Sequence, residues 1–286
     1  MSAPEEDGPR VATSSFQYMS DLHLEMRPGL RISPKDVRAP FLILAGDVGD
    51  PGTNEYVSFL THAANLYERV FVVLGNHECY GRRLHRAINL TKALCTRAGR
   101  GKDNVLFLNR EEPYATAGDR VRVLGCTLWS HVPPEAATLV REGLNDYRAI
   151  QGFGIETGNR EHEEDVAWLT RELLSVRAAQ ARCVVVTHHA PLMQGTSHPM
   201  YEGANRPLNH AFATDMRALI EEFADVAPVW IHGHTHFTHK TMFHTGPGRE
   251  EGCEDGLKTV TVASNQRGYT SREGQHFCLD VEPVTV

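Results

Sequence analysis

Short apolar runs, each stopped by a knot of polar residues, recur along this chain. Phe41–Ala45 (Phe-Leu-Ile-Leu-Ala), Phe71–Leu74 (Phe-Val-Val-Leu), Cys183–Thr187 and Val229–Ile231 are the clearest. Such runs, rich in Val and Ile, read as strands buried on both faces. Ser15–Ser20 alternates in the manner of a strand, and Asn104–Leu108 and Val121–Cys126 add two more. Helical periodicity fills the gaps. Asn54–Arg69 places Tyr56, Phe59, Leu60, Ala63 and Leu66 on one face, with Asn54 as the expected cap. Arg82–Arg97, Glu161–Ala179 and Thr214–Phe223 follow the same rule. Strands alternating with helices imply βαβ units and a parallel sheet. The end of the chain reads as β, with strands expected at Thr238–Phe243, Thr259–Ala263 and Phe277–Val281. Leu128–Val132 and Asn145–Arg148 read as loop segments. Leu192–Ala211, rich in Gly, Pro, Asn and His, is a long connection of the kind that forms lids or binding loops.

What stops the strands carries the chemistry. In order, the stops are Asp21-Leu-His23, Gly46-Asp47-Val-Gly-Asp50, Gly75-Asn76-His77-Glu78, His188-His189 and Gly233-His234-Thr-His236. Polar groups at the carboxyl ends of buried strands stand where open α/β sheets place their ligands. On a continuing strand, residues two apart point to one side, so Asp21 with His23, and His234 with His236, are expected to converge on one ion. Carboxylate, carboxamide and imidazole without thiolate suit Mn, Fe or Zn. His188, the first residue beyond its strand, is the favoured ligand of its pair, with His189 the alternative. His232 reads as a packed strand histidine. In the long connection, His198, Tyr201 and Asn209, together with His189, are the candidate substrate contacts.

Composition narrows the classes. The 286 residues are 41% hydrophobic, ample for a core, and hold no apolar run long enough to cross a membrane. Met1–Ala12 is acidic and lacks the apolar stretch of a secretory signal, so it reads as a disordered tail before a single domain over residues 13–286. Six scattered cysteines without a Cys-x-x-Cys suit free thiols in a reducing, cytoplasmic compartment. A net charge of −7 argues against duplex nucleic acid as the partner.

Taken together and in order, the five strand-end motifs from Asp21 to His236 resemble those of the calcineurin-like metallophosphoesterases. The resemblance implies a four-layer α/β/β/α sandwich of two mixed β-sheets flanked by helices. It implies two metal ions, one held by Asp21, His23, Asp47 and His236 and the other by Asp47, Asn76, His188 and His234, with Asp47 bridging. Two divalent ions against two carboxylates would leave about two positive charges, or about one after a bridging hydroxide, a cavity suited to a phosphate. Direct attack by a water-derived hydroxide is expected, with no phosphoenzyme. His77 matches the group that protonates the leaving oxygen. Asp50 matches the carboxylate that orients this histidine in some branches, although Pro51 follows it where those branches carry Arg. The expected activity is hydrolysis of small phosphodiesters. Phosphomonoester or protein-phosphate hydrolysis on the same fold is the alternative, and a non-catalytic scaffold is the reading from another class.

Overall fold

The computed structural model describes residues 14–116, 120–202, 206–245 and 258–286. The expected acidic tail lies outside them.

Eleven strands among the described residues form two sheets. The first contains β1 (Ser15–Met19), β2 (Phe41–Ala45), β3 (Arg69–Val73), β4 (Val105–Leu108) and, at the edge, β11 (Val284–Thr285). Its order is β11-β1-β2-β3-β4, parallel except for the antiparallel β11. The second contains β5 (Tyr114–Thr116), β6 (Val121–Cys126), β7 (Arg182–Thr187), β8 (Val229–Ile231), β9 (His239–Thr245) and β10 (Lys258–Ser264). Its order is β5-β6-β7-β8-β10-β9, with a parallel centre and antiparallel edges.

Three apolar layers make the sandwich. Phe16, Ile43, Phe71 and Val73 of the first sheet meet Val123, Val184, Val186 and Ile231 of the second in a core between the sheets. The outer face of the first sheet packs on α1 (Asn54–Leu66) and α2 (Leu84–Ala98). The outer face of the second is covered by α5 (Ile155–Ala178) and α6 (Arg217–Glu222). This is the expected four-layer arrangement of two mixed sheets flanked by helices. Between β6 and α5 lie α3 (Pro134–Gly143) and the single turn α4 (Asp146–Ala149).

Several boundaries differ from the periodicity, each for a local reason. Thr53, not Asn54, caps α1, its hydroxyl accepting the N–H of Tyr56 at 3.3 Å. The segment around Leu128–Arg148 is more than loop: Pro134 starts α3, where a missing N–H costs nothing. Phe277–Val281 is not a strand. The Asn265 amide takes both backbone groups of Cys278, donating to its carbonyl at 2.8 Å and accepting its N–H at 3.0 Å, so a side chain replaces a ladder. The edge strand forms instead at Val284–Thr285. Cys79, Cys95, Cys126 and Cys183 are buried free thiols and Cys278 an exposed one.

Candidate metal centre

Three of the five motifs leave their strands by a sharp reversal of the backbone. Asp21, His23, Asp47, His234 and His236 all have φ between 44° and 70°, the left-handed region that non-glycine residues rarely adopt. Asp21 and His23 therefore converge through left-handed turns, not through continued strand alternation, and His234 and His236 do the same. Such strained positions persist only where their surroundings fix them. Two glycines make room. A Cβ on Gly75 would lie 2.2 Å from Asp47 Oδ1, and one on Gly46 would lie 2.3 Å from His188 Nδ1.

The turns gather three overlapping clusters whose ligand atoms lie within 4.8 Å of one another: Asp21 with His23 and His236, Asp47 with His188 and His234, and, at the mouth, His23 and Asp47 with His77. Asp47 is common to the last two. Its Oδ2 lies 3.7 Å from His23 Nε2, and its Oδ1 lies 3.5 Å from His188 Nε2. Asn76 Oδ1 lies 2.9 Å from His188 Nε2. All seven expected ligands but His236 are buried.

Second partners fix which nitrogen faces inward. Glu25 Oε1 takes His23 Nδ1 at 3.1 Å, and Glu273 Oε2 lies 3.4 Å from His236 Nδ1. Ala45 O accepts from His188 Nδ1 at 2.9 Å. His23 and His236 turn their Nε2 atoms toward each other at 3.0 Å, and His236 Nε2 also lies 3.4 Å from Asp21 Oδ1. His188 Nε2 likewise faces the Asn76 carbonyl oxygen, because the Asn76 NH₂ donates to Asp146 at 2.8 Å. Imidazole nitrogens and carboxylate and carboxamide oxygens crowded together in a buried site are the arrangement that a cation satisfies. The donor set thus fits two metal ions of the hard-to-borderline kind. Burial works against the Asp21 and Asp47 carboxylates, but the surrounding imidazoles outweigh it: His236 leads at Asp21 and His188 at Asp47, and both are held below the usual range.

His77 sits at the mouth. Its backbone N–H donates to Asp47 Oδ1 at 2.9 Å, Nδ1 meets Glu25 Oε1 at 3.2 Å, and Nε2 meets the Tyr269 hydroxyl at 2.8 Å. Burial disfavours its imidazolium, yet the Asp47 and Glu25 carboxylates prevail and raise it to about 9. Asp50 makes no contact with His77. Its carboxylate is taken by Arg82 at 2.7 Å and by the N–H of Gly52 at 2.8 Å, so the expected orienting partner is Glu25 in space.

Of the candidate substrate contacts, His189 lies behind the cluster. It bonds Ser130 Oγ at 2.8 Å through Nδ1 and stacks on His234 with ring centres 4.0 Å apart. Asn209 is buried, donating to Met193 O at 3.0 Å. His198 and Tyr201 are solvent-exposed, and His198 packs near Phe237, beside His236. His232 is a packed histidine, bonded to His239 at 2.8 Å.

Four residues around the ligands were not among the candidates. Glu25 and Tyr269 flank His77; Asp146 holds Asn76; Glu78 accepts the backbone N–H groups of Asp47, Val48 and Gly75. Burial, followed by the charge of Asp47, pushes the Glu78 carboxyl up. Only Glu78 stood inside a motif, and its place next to His77 was its one clue.

Comparison with known proteins agrees with this geometry. Residues 19–237 match the family model described as calcineurin-like phosphoesterase. The uncharacterized protein L509 of Acanthamoeba polyphaga mimivirus is 25% identical over 291 aligned positions, covering 92% of this chain and 93% of that one. The crystal structure of phosphopantetheinyl hydrolase (PptH) from Mycobacterium tuberculosis superposes with a TM-score of 0.66 at 20% identity, covering 93% of each chain. At that identity the likeness speaks for the fold.

Proposed function

The chain belongs to the calcineurin-like phosphoesterase family, and on that premise we propose that it is a dinuclear metal-dependent hydrolase of small phosphodiesters. Asp21, His23, Asp47 and His236 hold one ion. Asp47, Asn76, His188 and His234 hold the other, with Asp47 shared. The observation that carries the reading is the convergence of two buried sets of ligand atoms on Asp47, with Asp21, His23 and His236 on one side and Asn76, His188 and His234 on the other. When bound, the metals supply Lewis acidity and lower the pKa of water.

The chain's own residues do the rest. Asp47 sets the spacing of the two ligand groups by offering one oxygen to each. His77 lies at the rim, where its Nε2 can deliver a proton to the oxygen that leaves phosphorus. Glu25 fixes the ring by accepting from Nδ1, the role the sequence motif suggested for Asp50.

Charge favours a diester over a monoester. The guanidiniums of the adjoining loops, Arg27 and Arg267, donate to backbone carbonyls at 2.6–3.3 Å. They are engaged in holding loops, which leaves the metal charge to match a singly charged phosphate. Four buried thiols suit a cytoplasmic setting.

The deciding experiment is a metal-reconstituted activity screen over mono- and diesters, Mn, Fe and Zn each tried, with elemental analysis of the protein. A phosphopantetheine diester belongs in that screen because the similar M. tuberculosis structure is that of a phosphopantetheinyl hydrolase. Diesters should turn over faster than monoesters with about two ions bound per chain. A protein loaded with two ions and inert toward every ester would overturn the assignment.

A further inference from the structure

Tyr269 lies on the Asn265–Thr270 segment, after the last strand of the second sheet and outside every strand-end motif. The segment is pinned from three sides. Arg27 Nη1 donates to the carbonyls of Arg267, Gly268 and Thr270 at 3.0, 3.1 and 3.3 Å. Glu273 Oε2 accepts the N–H of Tyr269 at 2.7 Å, and Gly268 N donates to Asp21 O at 3.0 Å. Gly268 turns with φ +64°, and a Cβ there would meet Glu273 Cβ at 2.8 Å. So many constraints on an irregular segment fix the placement of one side chain.

That side chain covers the metal centre. The Tyr269 ring packs against His236 and His23, with ring centres 4.3 and 4.4 Å away, and its hydroxyl meets His77 Nε2 at 2.8 Å. The residue is 37% exposed, so one edge faces the space from which a substrate arrives. An oxygen that accepts from His77 Nε2 must take the place the hydroxyl now fills. The displaced hydroxyl, held by its packed ring, then lies within hydrogen-bonding reach of that same oxygen.

We propose that Tyr269 is a further catalytic residue, its hydroxyl and His77 Nε2 together binding the leaving oxygen of phosphodiesters of aliphatic alcohols. This rests on the phosphoesterase reading and names its substrate class. In the step, the bond from phosphorus to the leaving oxygen breaks and its electron pair stays on that oxygen. His77 supplies the proton that makes the alcohol, while Tyr269 donates a hydrogen bond and keeps its own proton. Water contributes its OH to phosphorus, and its remaining proton passes to solvent, which reprotonates His77. An aliphatic alkoxide needs both donors, because its negative charge is confined to one oxygen. A nitrophenolate spreads its charge over the ring and needs neither as much.

The test is Tyr269→Phe, which removes the hydroxyl and keeps the ring on His23 and His236. kcat/KM for an alkyl phosphodiester should fall about 10²–10³-fold, the range for loss of one donor to a developing oxyanion. For bis(nitrophenyl) phosphate it should fall less than about three-fold, with metal content unchanged. In the metal-free protein, the ¹⁵N resonance of His77 Nε2 should move between wild type and variant, reporting the lost hydrogen bond without reference to activity. Equal losses on both esters, or no loss on the alkyl ester, overturn the proposal while leaving the hydrolase reading intact. Loss of bound metal also overturns it, because Tyr269 would then be a prop of the ligands. A metal-loaded wild type inert toward all esters overturns both.

Discussion

The carboxylate of Glu78 accepts the backbone N–H of Asp47 at 3.1 Å, so a residue of one strand-end turn holds the neighbouring turn in place. Glu78 also takes the N–H groups of Val48 at 2.8 Å and Gly75 at 2.9 Å, which requires both of its oxygens. Glu78→Gln has one acceptor oxygen for three donors. It should cost about 2–4 kcal/mol, since buried donors are left unpaired, and weaken metal binding. Chemical denaturation of the metal-free variant checks the first figure and elemental analysis the second. A variant as stable as wild type would mean that the turns hold without the glutamate.

Asp47 offers one oxygen toward His23 and the other toward His188, whereas His23 meets Asp21 and His236 on one side and His77 at the mouth but not His188 or His234. Asp47→Ala should therefore lose more bound metal than His23→Ala. Elemental analysis of the two variants, purified alike, decides the matter. Both ions retained in Asp47→Ala would end the bridging assignment.

Glu25, not Asp50, faces His77 Nδ1. Glu25→Gln should lower kcat/KM on an alkyl diester about 10–100-fold, the usual cost of removing a histidine's orienting partner. Asp50→Asn should stay within about two-fold and lose less than ~1 kcal/mol, because its ion pair with Arg82 is partly solvated. The reverse order of effects would return the orienting role to Asp50.

In the long connection, Asn209 is fixed to Met193 O while Tyr201 is 59% exposed. Asn209→Ala should cost about 1 kcal/mol in thermal or chemical denaturation, with little change in the ratio of rates on different esters. His198→Ala with Tyr201→Ala should change that ratio and leave stability within ~0.5 kcal/mol. Unchanged ratios would make the connection a passive loop.

Acid should destabilise the metal-free protein. Burial lowers His232 to about 4; burial together with neighbouring His232 lowers His239 to about 3. Between pH 6.5 and about 4 the unfolded chain binds protons that the folded one refuses. Stability therefore rises with pH across that window and is level above it with respect to these groups. Each ring contributes a slope of up to about 1.4 kcal/mol per pH unit. His239→Gln should reduce the slope by about one proton, read from denaturation midpoints at pH 7, 6 and 5. An unaltered slope would remove His239 from the account.

The buried strands and the motifs at their ends were legible because both are local: an apolar run, then a ligand, within a few residues. Residues acting across the fold were not. Glu25 and Tyr269 lie 52 and 192 positions from His77, and nothing in either neighbourhood announces the meeting. Asp50 misled because its sequence spacing suits an orienting role, while Arg82, on the approach to α2, captures it. The α3 helix was missed because Leu128–Val132 and Asn145–Arg148 on either side have a loop-like mixture of aromatic and polar residues. The Phe277–Val281 strand failed because Asn265 supplies hydrogen bonds that periodicity does not register.

Asp21, His23, Asp47 and Asn76 hang from the first sheet, and His188, His234 and His236 from the second. The Asp21 carboxylate already reaches across, accepting the N–H of His234 at 3.0 Å. Each ligand group therefore straddles the seam between the sheets, and an ion seated there acts as a rivet. Its binding free energy is gained only while the two sheets are docked, and so it adds to the work of prising them apart. Chelation should first be felt as faster amide exchange along β2 and β7, which line that seam, while the outer faces under α1 and α5 stay protected. On the proposed function, the seam, more than either sheet, is the part of the molecule whose integrity would follow the supply of metal.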